Sequence, residues 1–353
     1  MSFETAIHAR AILLDTMSLE MCAESGSGHP TSAMSIGHLV AVLMYRTMRW
    51  LPDNPNNPTS DRLVLSEGHA VPAVYAAMAD IGAIVDWNGE PVQLNRDHLK
   101  TLREDDSPLD GHPNPMEGVA FFDAATGSLG QGLSVAAGLG LAARADNTGR
   151  KTYCIIGDGE AREGQITEAL DFMMDHNLTN VLPIFNCNSY GQAGAVSEQQ
   201  SPKKLAAKLE AFGFDVAVID GHSPDEIKAA FDSFGAVGRT QPMAVVAKTV
   251  KGWGAPSMQG GNWHGKPATG KQLETVIAEL RQTGLKLTSS MTTDPIAVLA
   301  PPESSTIEAL VTEPMTLRQA AEKWDMATSL QSGTMATRRA YGIALRALGH
   351  TNQ

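Results

Sequence analysis

Apolar positions along this chain change their spacing several times, and each change marks an expected element. Residues 4–24 and 31–48 repeat apolar side chains every three to four positions, which predicts two helices parted by the turn-rich Ser25-Gly26-Ser27-Gly28-His29-Pro30. The first reads as amphipathic and carries acidic residues; Thr31 or Ser32 is placed to cap the second. After the loop 53–61, Arg62-Leu63-Val64-Leu65 predicts a short strand, and Ser66-Glu67-Gly68-His69 leads into an Ala-rich helix near 70–82. Residues 84–123 read as irregular, with one helix near 95–104, and a small-residue helix opens at Gly127 and runs to about Asp146. From there the alternation is regular. Strands near 152–156, 181–186, 214–219 and 243–248 interleave with helices near 163–176, 202–211 and 223–235. Repeated βα alternation predicts an α/β fold, a doubly wound, mostly parallel sheet with helices on both faces. A helix near 270–284 closes an expected domain 1–284; residues 285–333 read as a linker, and 334–353, with a helix near 336–348, as the start of a further domain.

Two of these strands end in polar clusters. Tyr153-Cys154-Ile155-Ile156 runs into Gly157-Asp158-Gly159, and Val181-Leu182-Pro183-Ile184-Phe185 runs into Asn186-Cys187-Asn188. The mouth of a parallel sheet is where open α/β folds bind ligands. Asp158 and Asn188 offer hard oxygen ligands, a backbone carbonyl just beyond Asn188 can add a third, and the glycines let the backbone approach a phosphate. The chemistry this suits is Mg2+ or Ca2+ holding a diphosphate. Either turn alone is unremarkable; their placement at successive strand ends carries the reading.

Composition narrows the classes. The 353 residues carry a formal net charge of −12 and no basic stripe, which argues against nucleic acid but not against a small anionic ligand. Three cysteines, Cys22, Cys154 and Cys187, give neither a disulfide framework nor zinc spacing and suit a reducing compartment. The acidic first helix is unlike a signal peptide, and no apolar run reaches eighteen residues, so a cytoplasmic protein without a membrane partner is expected.

Four of the ten histidines stand beside glycine in loops: His29, His69, His112 and His264. Neutral imidazoles can donate to phosphate or hydroxyl oxygens and move protons near neutrality. Gly221-His222-Ser223 reads as a helix cap, while His8, His38, His98, His176 and His350 fall on helices or a chain end and are not expected to be ligands. Gly127-Ser128-Leu129-Gly130-Gln131-Gly132 opens a helix whose N-terminal amides favour a polar ligand edge, yet it matches neither a Walker loop nor a dinucleotide fingerprint.

Gly157-Asp158-Gly159 followed about thirty residues on by Asn188 resembles the motif of the thiamine-diphosphate enzymes. Within them the chain resembles the transketolases, through SGHP (27–30), DRLVLSEGHA (61–70), LDGHP (109–113), ATGSLGQG (125–132), GDGEAREG (157–164), NCNSYGQ (186–192), DGHS (220–223), WHGKP (263–267) and ATRRAYG (336–342). Gln192 and WHGKP look most like the animal-type branch. The resemblance implies the diphosphate-binding domain of that fold, with thiamine diphosphate and Mg2+ (or Ca2+) as cofactors. Carried over by position, it implies that Asp158, Asn188 and the Tyr190 carbonyl hold the cation, and that Gly159, His69 and His264 contact the diphosphate. Gly127, Ser128, Leu129 and Gln192 would line the rest of the cofactor, and His29, His112 and His264 would face the sugar and help move protons. Glu163 would join an acid network between paired active sites, although a helix N-terminal carboxylate would look the same. Arg338 would grip a substrate phosphate, with Arg339 merely solvated.

The implied reaction is a two-carbon ketol transfer between sugar phosphates, as in the pentose phosphate pathway, with the cofactor as electron sink. The family also uses a glutamate on a pyrimidine-binding domain given by a partner protomer, and that domain is not in this sequence. The expectation is therefore one half of a split or truncated transketolase, inactive alone, joined by a C-terminal subunit into a dimer of heterodimers through an apolar surface. A dihydroxyacetone synthase, a deoxyxylulose-phosphate synthase, a transketolase of a specialised sugar pathway, or a non-catalytic regulatory subunit that binds the cofactor would share parts of this pattern.

Overall fold

The computed structural model describes residues 2–260, 263–289, 293–294, 297–303 and 315–351. Its chain packs as two units, 1–303 and 304–353. The first opens with α1 (Phe3–Ser25) and α2 (Pro30–Val42), the latter running into a π-helical turn at Leu43–Thr47. Strand β1 (Arg62–Leu65), α3 (Val71–Ile81) and the hairpin β2 (Ile84–Trp87) and β3 (Glu90–Gln93) follow, then α4 (Gln131–Ala145). The alternating part comprises β4 (Thr152–Gly157), α5 (Gly164–Asp175), β5 (Val181–Cys187), α6 (Pro202–Phe212), β6 (Asp215–Asp220), α7 (Pro224–Gly235) and β7 (Met243–Lys248), and α8 (Lys271–Thr288) comes last.

Five strands form one wholly parallel sheet in the order β1-β4-β5-β7-β6, which bears out the expected fold class. Period-two alternation divides the sheet between two cores. Tyr153, Ile155, Leu182, Ile184, Val245 and Ala247 face the α1, α2, α3 and α7 side. Cys154, Ile156, Val181, Phe185, Ala244 and Val246 face α4, α5 and α6. Burial on both faces explains why β4 and β5 read as unbroken apolar runs. Pro183, which cannot donate to a ladder, stands just before the β5–β7 pairing begins at Ile184↔Val245.

Several local expectations are corrected. Helix α1 is not amphipathic: it is buried nearly all round, because α2, α3 and α8 pack against it. It even buries Arg10, which pairs with Asp80 at 2.5 Å. Neither Thr31 nor Ser32 caps α2. Pro30 occupies its first turn and His29 the cap position without a capping bond, while the Thr31 hydroxyl donates to the Trp263 carbonyl at 3.0 Å. Residues 84–93 are not irregular but an antiparallel hairpin, turned by Asn88 and Gly89, both at positive φ. The expected helix near 95–104 is a single 3-10 turn, His98–Thr101. Helix α8 continues to Thr288, past 284.

The second unit holds α9 (Leu317–Lys323), α10 (Ala327–Gln331) and α11 (Thr337–Thr351), so the described part of the expected linker contains helices, and 304–314 lie outside the described residues. Thr316 and Gln319 make a reciprocal capping box on α9. Ala320, Ile343 and Ala347 form a small core, and the Arg346 guanidinium lies 4.5 Å from the Trp324 ring centre. Tyr341, Leu345 and Leu348, spaced along one face of α11, are exposed. Among the described residues no helix is long and apolar enough to cross a membrane.

Candidate functional site

Parallel strands put all five carboxyl ends on one edge, and the polar clusters meet there in a cavity of about 520 Å3. Register brings the two cluster-bearing strands together, with Gly157 opposite Asn186. The clusters then touch: the Ser189 amide donates to Asp158 Oδ2 at 2.6 Å and the Gly159 amide to Oδ1 at 2.7 Å. Asn188 Oδ1 accepts from the Tyr190 amide at 3.0 Å. Asp158 and Asn188 are both buried and line the cavity, as does Tyr190. The donor set is one carboxylate, one side-chain amide and nearby backbone; among the described residues no three His, Cys, Asp or Glu side chains converge on a metal. Hard oxygens beside a cavity of this size would fit a divalent cation that shares the space with an anionic ligand.

Three of the four loop histidines form a triangle. The ring centres of His29 and His69 are 4.9 Å apart, those of His29 and His264 4.8 Å, and those of His69 and His264 5.2 Å. His112 lines the same cavity and packs on Gly127. Burial keeps all four rings neutral near pH 7. It pushes His29 down to about 3, aided by the charges of His264, His112, Lys251 and Arg103, and His264 to about 4, aided by Lys251. His69 is driven well below its ordinary value by burial and the neighbouring imidazoles, and His112 is lowered by burial and Arg103. Lys251 Nζ donates to His264 Nδ1 at 3.0 Å, so the neutral His264 ring carries its proton on Nε2.

Gly127, Leu129, Gly159 and Gln192 also line the cavity. Ser128 is exposed and outside its wall. Glu163, the residue before α5, makes no capping bond and is exposed, also outside the wall. Arg338 belongs to the second unit, exposed on α11.

Four further residues are absent from the sequence-based set. Lys251 lines the cavity just past β7; its own strand-end position, in Thr249-Val250-Lys251-Gly252, is the signal. Burial lowers its pKa, opposed by Glu67 and Asp158. Glu67, past β1, is fully enclosed, and burial raises its pKa well above the carboxylate range despite the bond from Asn186 Nδ2 at 2.9 Å. Asn186 also donates to Ser35 Oγ at 2.9 Å and accepts from Thr249 Oγ1 at 2.5 Å, tying α2, β5 and the end of β7 beneath the cavity. Glu160 accepts from Ser66 Oγ at 2.5 Å and from the amides of Gly130 at 2.8 Å and Gly157 at 3.0 Å.

Gly127 sets the place of His112. Its φ is +122°, and a Cβ there would stand 2.7 Å from His112 Cδ2. Gly127→Ala is expected to cost about 1–3 kcal/mol and to displace the His112 ring. Thermal melts and the His112 imidazole resonances check both effects.

The sequence matches the family model "Transketolase, thiamine diphosphate binding domain" over residues 7–290. Transketolase-like protein 2 of Bos taurus is 36% identical over 338 residues, covering 95% of this chain and 50% of that protein. The 6-deoxy-6-sulfo-D-fructose transketolase subunit SqwG of Clostridium sp. (strain MSTE9) is 36% identical over 276 residues, 78% of this chain and 96% of its own length. The transketolase crystal structure from Campylobacter jejuni aligns with a TM-score of 0.67 at 26% identity, covering 95% of this chain and 49% of that one. The chain spans about half the length of the full-length relatives it matches.

Proposed function

The chain belongs to the transketolase family and carries its thiamine diphosphate-binding domain, and from that premise we propose that it takes thiamine diphosphate with Mg2+ or Ca2+ and serves a two-carbon ketol transfer from a ketose phosphate to an aldose phosphate, together with a subunit that supplies the pyrimidine-binding domain. The observation that carries this reading is the meeting of Asp158, Asn188, Lys251 and the histidine triangle in one cavity at the carboxyl edge of the sheet.

The residues divide the work. Asp158, Asn188 and the Tyr190 carbonyl hold the cation. The Gly159 backbone, His69 and Lys251 receive the diphosphate, with His264 Nδ1 bracing Lys251 and Lys251 supplying positive charge where the chain as a whole is acidic. Gly127, Leu129 and Gln192 bound the rest of the cofactor. When bound, thiamine diphosphate supplies the carbon nucleophile and the electron sink. His264, with its proton on Nε2, donates to the substrate carbonyl oxygen as negative charge grows on it. His29 and His112, held neutral, bind sugar hydroxyls and accept or return protons. Glu163 serves the acid network of a paired site, and Arg338, exposed on α11, is our candidate for gripping a substrate oxyanion.

Support for the partner is the half-length cover of the full-length relatives, a relative named as a transketolase subunit, and the exposed apolar face of α11. The same relative favours a second donor class, a ketose with a sulfonate in place of the terminal phosphate. Mixing the chain with a candidate C-terminal subunit, thiamine diphosphate and Mg2+ is expected to give glycolaldehyde transfer that neither chain gives alone. The assay runs a donor panel of xylulose 5-phosphate, fructose 6-phosphate and 6-deoxy-6-sulfo-D-fructose. Full turnover by this chain alone would refute the split, and cofactor uptake without turnover in the mixture would leave a binding subunit instead.

A further inference from the structure

His8 on α1, His38 on α2 and His222 in the turn after β6 pack as a buried column that the chemistry above does not use. The bonds along it run one way. The Val250 amide donates to His222 Nε2 at 2.9 Å, so that nitrogen has no proton and the neutral ring carries its proton on Nδ1. His222 Nδ1 faces His38 Nδ1 at 3.4 Å and donates to it. His38 is then protonated on Nε2, which donates to His8 Nδ1 at 2.9 Å. The His8 proton is left on Nε2, toward the exposed Glu4 carboxylate 4.0 Å away. Trp253 braces the column, edge-on to His38 at 4.4 Å and stacked on His222 at 5.0 Å between ring centres. His38 turns its two nitrogens to different neighbours, so the three rings share no point where a metal could sit.

The inner end of the column sits one residue from the cavity. Val250 precedes Lys251, whose side chain lines the cavity and donates to His264. Resting on the cofactor reading above, we propose that His222 is a positioning residue: by accepting the Val250 amide it fixes the backbone that aims Lys251 at the diphosphate, while His38 and His8 lock the tautomer this needs. A second proton on His222 would set an N–H against the Val250 N–H and break the column at its inner end. Burial opposes that proton, holding His222 at about 3 and His38 well below its ordinary value.

Two measurements on the full chain test this. Imidazole nitrogen spectra at neutral pH are expected to show the proton on Nδ1 of His222 and on Nε2 of His38 and His8; any other tautomer of His222 overturns the proposal. Two substitutions then separate acceptor from packing. His222→Phe keeps a ring against Trp253 and removes the acceptor, whereas His222→Gln keeps an acceptor. His222→Phe is expected to open the Val250 amide to hydrogen exchange and weaken thiamine diphosphate binding about tenfold, with His222→Gln restoring most of both. Wild-type affinity in a folded His222→Phe chain would overturn the positioning role while leaving the cofactor reading intact. A wild-type chain with the expected tautomers that takes up no thiamine diphosphate, alone or with a C-terminal subunit, would overturn the cofactor reading and the positioning role with it. Should His222→Phe fail to fold, the wild-type tautomers and the His222→Gln affinity still decide: a tenfold loss in a folded His222→Gln chain with Val250 protected would sink the idea.

Discussion

Asp158→Asn is expected to cut cation-dependent thiamine diphosphate binding by about a hundredfold or more, roughly 3 kcal/mol, with the chain still folded. Asparagine keeps the volume and one oxygen for the Gly159 or Ser189 amide, while its NH2 faces the other N–H, so the loss combines the missing charge with one broken hydrogen bond. Calorimetry with Mg2+ and thiamine diphosphate reads it, and unchanged binding would place the cation elsewhere. The pH dependence sharpens the test. Burial pushes Asp158 up to about 6, outweighing the Ser189 and Gly159 amides and the Lys251 charge. Below that pH a proton occupies the ligand oxygen, and the cation must displace it. Affinity is expected to be level above pH 7 and to fall about tenfold per unit below 6, the slope of one proton per cation. Stability moves the other way. The folded pKa lies above the ordinary 3.8, so the folded state binds this proton more tightly and gains stability from it as pH falls through the window from about 6 to 3.8. Weaker binding at pH 5 therefore cannot be charged to unfolding through this group, and the step should vanish in Asp158→Asn.

The part of this architecture that local pattern encodes was open to a reader of the chain. Strands β4 and β5 are buried on both faces and so write themselves as apolar runs, and their ends give Asp158 and Asn188 without any knowledge of packing. The hairpin 84–93 is equally local: Asn88-Gly89 between apolar positions is its signal, masked by charged and polar neighbours on an exposed hairpin. Lys251 and Glu67 follow from the same strand-end rule applied to β7 and β1. What is not local is pairing. Asn186 meets Ser35 across 151 positions, and His38 meets His222 across 184, so nothing in either neighbourhood marks a hub or a column. Helix α1 misleads for a related reason. Its polar residues look solvent-facing until a partner such as Asp80 or a covering helix such as α8 is known. Asp15 is buried with neither carboxylate oxygen hydrogen-bonded among the described residues, and burial raises its pKa well above the ordinary value.

Glu160→Ala is expected to destabilise the chain by about 3–5 kcal/mol, the range for stripping the acceptor from several buried donors at once. Glu160 is 3% exposed, and its two oxygens take three donors from three elements: Ser66 beyond β1, Gly157 at the end of β4 and Gly130 at the start of α4. Alanine leaves all three without that acceptor at the buried edge of the cavity. A drop in melting temperature on the order of 10 °C follows for a domain of this size, read by calorimetric melts. Glu160→Gln should recover only part of it. An amide has one accepting oxygen, and its NH2 must face either the Gly157 or the Gly130 N–H, donor against donor. The same substitutions reach function as well, because Glu160 lines the cavity and holds together the strand end that carries Asp158 and the helix start that follows Gly127 and Leu129. Cofactor affinity is therefore expected to fall in the order wild type, Gln, Ala, in step with the melts, whereas Asp158→Asn, which breaks one hydrogen bond, is expected to lower affinity by more than its melting shift accounts for. A Glu160→Ala chain that melted like wild type would mean that other partners satisfy those three donors, and the carboxylate would lose its place as the tie between the two strand ends and α4.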